Sequence, residues 1–415
     1  MIESSAERIA RDIEGLAEFT ATPGMGMTRF SFSEEDRKTR EFIKERMKEA
    51  GLTIFEDGAG NLFGRREGKQ ADAPAIMVGS HFDSVKNGGN FDGPAGVVMA
   101  LEIARLLHEN KVETELPIEF AALVEEEGGR FGGGLFGSRA MTGQVSPEEL
   151  DSSRDRDGIS LGEAMSRAGF DPGRLEEAVR PEGSLRAFME MHIEQGPVLE
   201  SEGIDLGIVR TIVGIHQKEV EILGRADHSG TTPMDMRKNA LAAAAKAVLF
   251  LDEAARAAGA GTVGTVGKME VYPGGTNIVP GRALFTVDIR SSEKEKLESL
   301  VTAFEKFLMK LGKEEGVEIS MTEKLRVDPV KMSVKLCALF LAEAEKRGYS
   351  SKRMQSGAGH DAMMMASVAE TGLVFVPSRG GRSHCPEEWT DCAQIKKGVD
   401  VVLGVLLTLA QGETE

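Results

Sequence analysis

Ala75-Ile76-Met77-Val78 is a short, unbroken apolar run that ends in Gly79-Ser80-His81-Phe82-Asp83-Ser84-Val85 and is soon followed by Asn90-Phe91-Asp92-Gly93. Such a run, closed by glycine, reads as a buried strand. Its length and surroundings put it in an α/β sheet, where sites lie beyond the strand ends. His81 therefore stands where chemistry is usually placed. A histidine, a carboxylate two residues on and a second carboxylate in a glycine-rich turn suit a metal centre. His81 can ligate through one ring nitrogen while Asp83 takes the proton of the other. Asp92 carries two oxygens and can bridge two ions. Taken alone, these residues also fit a buried histidine bonded to an aspartate for purely structural reasons.

The rest of the chain weighs toward the metal. The strand-like run Leu116 to Val124 ends in Glu125-Glu126-Glu127-Gly128-Gly129. Consecutive carboxylates at the end of a buried strand repel one another unless cations are near. Met191-His192-Ile193-Glu194-Gln195 supplies a second histidine after an apolar-alternating segment. Ser383-His384-Cys385-Pro386 supplies a third, in a glycine-rich loop after the strand Leu373 to Val376.

Charge and cysteine content narrow the class. The chain has 415 residues, a net charge of -17, 41% hydrophobic and 28% charged residues. That is an ordinary globular composition, and the acidity argues against a nucleic-acid partner, which needs clustered Lys and Arg. No apolar run approaches the ~20 residues of a membrane span. The first residues are acidic and helical, unlike a secretory signal. Cys337, Cys385 and Cys392 are unclustered and give no disulfide framework, so a cytoplasmic location is expected. Cys385 adjoins a ligand candidate, but a metal site with a water nucleophile requires no thiol.

Periodicity divides the chain. Up to about Arg210, apolar runs alternate with helical patterns, among them Ala95 to His108, with His108 facing solvent. From about Thr211, strands over Gln217–Leu223, Val263–Val271, Leu284–Ile289 and Val317–Thr322 enclose helices over Met236–Ala258 and Ser292–Gly312. This is a βαββαβ pattern, a small sheet with two helices on one face. From about Pro329 the α/β style returns, with helices over Val330–Arg347 and Cys392–Gln411. The expected fold is thus an α/β catalytic domain, residues 1–210 and 328–415, with a ferredoxin-like domain inserted at 211–327.

The segments GSHFDSV (79–85), NFDGPAGV (90–97), EEEGGRF (125–131), HIEQGPVLE (192–200), DHSGTTPM (227–234), GGTNIVPG (274–281), VDIR (287–290), GAGHDA (357–362) and SRGGRSHCPEEWT (378–390) resemble, in order, those of the M20 metallopeptidase superfamily. The likeness is to its amidohydrolase branch of N-carbamoyl-L-amino acid hydrolases, allantoate amidohydrolases and β-ureidopropionases. It extends from Thr22-Pro23-Gly24 to the C-terminal helix. The resemblance implies a pair of divalent ions, zinc or a substitute such as manganese, cobalt or nickel. Asp92 matches the bridging carboxylate, His81 and His192 the other ligands of one ion, and Glu127 and His384 those of the second. Glu126 matches the general base, which takes a proton from the attacking water and passes it to the departing nitrogen. His192, where many peptidase relatives have a carboxylate, marks the carbamoyl-cleaving branch.

In the resembling enzymes, the position of His228 stabilises the oxyanion and that of Asn277 contacts the substrate carboxylate or amide. That of Arg290 holds the α-carboxylate, for which its planar fork is suited. Gln195 and His360 match further substrate contacts. The inserted domain is then a lid that closes on substrate and pairs with a second copy, making a homodimer. His216 has no family role and reads as a satisfied structural histidine. Two departures stand out: Ser229 where relatives commonly have alanine, and Arg379 and Arg382 bracketing the glycines before His384. Their charge would favour an acidic substrate or offset the acidic ligands. The implied reaction is hydrolysis of the ureido C–N bond of an N-carbamoyl-L-amino acid, a small carboxylate-bearing substrate. Allantoate amidohydrolase activity is the close alternative, aminoacylase or peptidase activity a further one. A metal-free scaffold would show lost ligands, and none is lost.

Overall fold

A computed structural model describes residues 2–411. The chain forms two compact units. The first runs to Arg210, resumes over Lys331–Met354 and continues from Ala358; the second is Thr211–Val330 with Gln355–Gly357. The short Gln355–Gly357 stretch joins the second unit, not the first as its sequence position suggests. Ser356 O accepts the N–H of Val213 at 3.0 Å, and Gly357 O accepts from Arg290 at 2.7 Å.

The first unit is built on a nine-stranded sheet whose central path is Thr53–Glu56, Leu62–Arg66, Ile118–Leu123, Ala75–His81, Leu185–Ile193, Glu370–Val376 and Leu206–Ile212. Ala75–His81 lies parallel to both Ile118–Leu123 and Leu185–Ile193, and Glu370–Val376 lies parallel to Leu185–Ile193. Parallel strands are covered on both faces, so they read as unbroken apolar runs, and every residue of Ala75–His81 and Ile118–Leu123 is buried. Their shared direction has a second consequence. His81 is opposite Leu123, and Phe375 is opposite His192. The segments that follow these strands therefore emerge along one edge of the sheet.

The helix Pro94–Glu109 leaves that edge directly. Pro94 sits at its first turn, where a missing N–H costs nothing, and Gly93 precedes it at φ 77°. A Cβ on Gly93 would fall 2.3 Å from His81 Cε1, so only glycine allows the helix to start this close to the imidazole. The helix is buried along most of its length, while His108 is exposed. The expected helix at Val330 begins instead at Val334, where the Ser333 hydroxyl accepts the Leu336 N–H and caps it. Val330–Lys331 is strand.

The second unit has a five-stranded antiparallel sheet, ordered Met269–Tyr272, Arg282–Ser291, Gly214–Leu223, Glu318–Val327, with Thr262–Thr265 also paired to Arg282–Ser291. The single strand expected over Val263–Val271 is thus two, broken around Gly267, which has no side chain to pack. Ala283, Phe285, Val287 and Ile289 alternate along one face and share a core with Ala243, Ala247 and Leu251 of the helix Ala240–Ala258 and with Leu300, Phe304 and Leu308 of Lys294–Glu315. That alternation is what a sheet covered on one face requires. The helix expected from Met236 starts at Ala240, capped by Asn239; Met234–Met236 is a separate 3₁₀ turn after Pro233.

Candidate active site

Two groups of potential ligands gather at the strand ends of the first unit. In one, ring or carboxylate atoms of His81, Asp92 and His192 lie within 4.8 Å of one another; in the other, those of Asp92, Glu127 and His384 do. Asp92 belongs to both, and its two oxygens divide between them. Oδ1 is 3.5 Å from His81 Nε2 and 3.1 Å from His192 Nε2. Oδ2 is 3.4 Å from His384 Nε2, which is itself 3.3 Å from Glu127 Oε2. The first group is buried, whereas the His384 side chain is 48% exposed.

The backbone sets the histidine tautomers. His192 Nδ1 faces Ile193 O at 2.9 Å. A proton on Nδ1 satisfies that carbonyl and leaves the Nε2 lone pair to face the Gly93 N–H at 3.2 Å, beside Asp92 Oδ1. His81 Nδ1 lies 3.3 Å from the backbone carbonyl of Asp83 and 3.6 Å from its carboxylate. The Asp83 carbonyl is the nearer of the two to His81, and the carboxylate also accepts the N–H of Glu126 at 3.1 Å and of Glu127 at 3.2 Å. The chain leaves the strand after His81, which turns the Asp83 side chain toward the end of the neighbouring strand.

Glu126 Oε2 lies 3.8 Å from His81 Nε2. Burial pushes its carboxyl well above the usual range; His81 opposes the shift and Glu127 adds to it. Burial and the charge of Asp92 push Glu127 up to about 8. Burial also works against the charge on Asp92, but His192, His384 and His81 outweigh it and hold that carboxyl well below its ordinary value. The hydrogen bond to Asp92 raises His384 to about 9. Glu127 Oε1 is buried with no hydrogen-bond partner. Such an atom carries its full desolvation cost unless a cation or proton meets it. An orphaned carboxylate oxygen and converging imidazole and carboxylate donors fit divalent metal ions in the two groups.

Gln195 and His360 border these groups. Gln195 Nε2 donates to Asp92 Oδ2 at 2.7 Å, so here it supports the shared carboxylate. His360 is buried with its ring 4.5 Å from that of His192, edge to face. Burial, with His192 adding to it, holds it well below the ordinary histidine value, which makes it a neutral ring.

The second unit holds the other candidates. Asp227–His228 pairs with Ile278–Val279, and Asn277 O accepts the N–H of Ser229 at 3.0 Å, so His228 and Asn277 share one small ribbon. His228 Nδ1 accepts from the backbone N–H groups of Gly230 and Thr231 at 3.1 and 3.2 Å. Nδ1 is thus unprotonated in the neutral ring, and Nε2 carries the proton. Arg290 does not present an open fork: Nε and Nη2 donate to Asp288 at 2.8 and 3.0 Å, and Nη1 to Gly357 O. Its alternation on the strand Arg282–Ser291 places Asp288 two residues away on the same face. His216 is not the satisfied histidine expected. It is buried 3.1 Å from Glu323, yet neither ring nitrogen makes a well-aligned hydrogen bond.

In the loop before His384, Arg379 lies over the Trp389 ring at 5.1 Å, and Arg382 pairs with Glu387 at 2.9 Å. Each arginine of this loop thus has a local partner. Cys385 accepts from Arg382 Nε at 3.3 Å and belongs to neither ligand group. Sequence reasoning missed Glu190, buried between Met189 and Met191 in the strand Leu185–Ile193, which accepts from Ser80 Oγ at 2.7 Å and Ala362 N at 2.9 Å. An acidic residue inside an apolar run was the available signal. It also missed Ser383 and Glu388, for which an irregular loop offers no period to read.

An α/β sheet whose parallel strand ends carry paired histidine and carboxylate groups defines a metal-dependent class of fold. The profile of Peptidase family M20/M25/M40 matches residues 77–408, and the chain belongs to that family. It is 46% identical to an N-carbamoyl-L-amino-acid amidohydrolase of Paenarthrobacter aurescens over 98% of each chain. It is 37% identical to an allantoate amidohydrolase of Bacillus subtilis over 96% of each. Among solved structures, an amidase of the hydantoinase/carbamoylase family from Burkholderia multivorans aligns with a TM-score of 0.92 at 34% identity, covering 100% of both chains. Among the described residues no helix is long and apolar enough to cross a membrane.

Proposed function

We propose that this chain is a metal-dependent amidohydrolase that cleaves the ureido C–N bond of N-carbamoyl-L-amino acids. One water is consumed, and the amino acid, carbon dioxide and ammonia are released. The observation that carries the reading is the division of the Asp92 oxygens between two ligand groups, with Glu126 beside the first. Full-length identity of 46% to a relative of that name supports the substrate class. Allantoate is the second substrate to be tested, on the 37% identity to an enzyme named for it.

Divalent ions held by His81, Asp92, His192, Glu127 and His384 would polarise the ureido carbonyl and make water a nucleophile near neutral pH. Glu126 accepts the proton of the attacking water and returns it to the departing nitrogen. A carboxyl raised by burial suits a group that must both take and give a proton. Asp83 holds the backbone at Glu126 and Glu127, and Gln195 holds Asp92. His228, with its proton on Nε2, is assigned as donor to the oxyanion. Asn277, Arg290 and His360 are assigned to the substrate's polar groups, Arg290 to its carboxylate. The second unit is read as the ferredoxin-like lid and the surface of a homodimer. Free Cys337, Cys385 and Cys392 support a cytoplasmic setting for the enzyme.

The test is hydrolysis of a panel of N-carbamoyl-L-amino acids, allantoate and N-acyl amino acids with metal supplied, read as ammonia release for the two ureido classes and as free amino acid for the acyl compounds. Turnover of the carbamoyl compounds at least ~10-fold faster in kcat/KM supports the assignment, that factor being about 1.4 kcal/mol in transition-state binding. Preference for allantoate or the acyl compounds overturns it.

A further inference from the structure

We infer that Glu388 is a positioning residue that fastens the loop of Asp92 to the loop of His384, so that the two ligand groups share one frame. The inference rests on the metal reading of those groups. Glu388 is 4% exposed, and nothing in the reaction uses it directly. Its Oε1 accepts the backbone N–H of Phe91 at 2.9 Å and of Asp92 at 3.0 Å, residues 297 and 296 positions earlier in the chain. Its Oε2 lies 3.0 Å from Ser383 Oγ, and that hydroxyl lies 2.6 Å from Asp92 Oδ2. One carboxylate thus grips the Asp92 backbone and, through Ser383, reaches the Asp92 side chain.

The surroundings are shaped to admit it. A Cβ on Gly89 would fall 2.2 Å from Glu388 Oε1, so the absent side chain at 89 is what lets the carboxylate approach the 89–92 turn. The next residues of the two loops also meet, Phe91 and Trp389 at 5.2 Å between ring centroids, edge to face. His384 lies between Ser383 and Glu388 at a left-handed φ of 56°. A non-glycine residue holds that conformation only when its surroundings over-determine it. The other ligands are held in other ways. His81 and His192 sit on central strands, and Glu127, four residues past the end of one, has its backbone N–H bound by Asp83. His384 sits on an irregular loop, and Asp92 in a glycine turn. Glu388 joins these last two.

The experiment titrates the full chain, stripped of metal, with Mn2+ alone, reading heat and the fluorescence of Trp389, the only tryptophan. Wild type is expected to bind two ions and to change its Trp389 emission. In Glu388→Ala the more weakly held ion should lose about 10–100-fold in affinity, the usual cost of removing a ligand's supporting partner. The thermal transition of the metal-free variant should stay near wild type. Glu388→Gln keeps an oxygen for both N–H groups and an amide for Ser383 Oγ, and should restore most of the loss. Wild-type affinity for both ions in Glu388→Ala overturns the inference, as does a Gln variant as impaired as Ala. If Glu388→Ala does not fold, Ser383→Ala decides: a weakened second ion supports the frame, and unchanged affinity for both overturns it. A wild-type chain that takes up no Mn2+ contradicts the metal reading itself, which separates that failure from this one.

Discussion

The carboxylate of Asp83 accepts the backbone N–H of Glu126 at 3.1 Å. Its other oxygen takes the N–H of Glu127 at 3.2 Å. The side chain that stands 3.6 Å from His81 Nδ1 thus also ties the end of one strand to Glu126 and Glu127 beyond the end of the next. In Asp83→Asn one oxygen becomes an amide that confronts an N–H donor. The expected result is a loss of about 10–100-fold in kcat with part of the metal retained. Steady-state kinetics with metal analysis on the same samples checks it; unaltered kcat removes Asp83 from the machinery.

Glu126→Gln preserves size and polarity but removes the carboxylate proposed to accept the proton. Metal content should be retained and kcat should fall by roughly 10²-fold or more. Near-normal turnover would move the role elsewhere, and Glu125 is the first residue to examine.

Protons and cations compete for the second ligand group. The hydrogen bond to Asp92 raises His384 to about 9, and burial with the charge of Asp92 raises Glu127 to about 8. The metal-free group therefore holds protons at neutral pH, and a cation must displace them. Fewer protons remain to be displaced as pH rises, so affinity should increase between about pH 6 and 8 with proton release on binding. Mn2+ titrations in buffers of different ionisation enthalpy measure this. Affinity independent of pH, with no proton released, contradicts it.

Arg290→Lys replaces a planar fork with a point charge. KM for a carboxylate substrate should rise strongly, by about 10-fold or more, with a smaller effect on an amide analogue lacking the carboxylate. The contact with Asp288 makes that control necessary. Equal relative loss on both substrates would make Arg290 a structural partner of Asp288.

What could be read in advance follows from where regular structure ends. His81, Asp92, His192 and His384 stood out as candidates because they follow apolar runs that announce buried strands or lie in glycine-rich turns beyond them; the division of ligands, and the choice of Glu127 among three glutamates, rested on the family resemblance. The two-helix, one-face core of the second unit was legible from the alternation that ends in Arg290. The roles of Asp83, Gln195 and Glu388 were not. In each, the decisive partner is a backbone N–H or a carboxylate that is distant in sequence, and no period connects the two. The choice between Glu387 and Glu388 shows the limit. The neighbours are chemically identical, yet Glu387 pairs with Arg382 at the surface while Glu388 is buried under the Asp92 turn. Arg290 shows the converse: its chemistry was legible, but its capture by Asp288 needed the strand's geometry.

The central claim is that two divalent ions, sharing Asp92, drive hydrolysis of a ureido bond. The most direct test strips the protein with a chelator, verifies the metal content, and follows ammonia release from an N-carbamoyl-L-amino acid as zinc, manganese or cobalt is returned. The account predicts negligible turnover in the stripped protein and recovery that saturates as two ions bind per chain. Full turnover in a demonstrably metal-free preparation would contradict it.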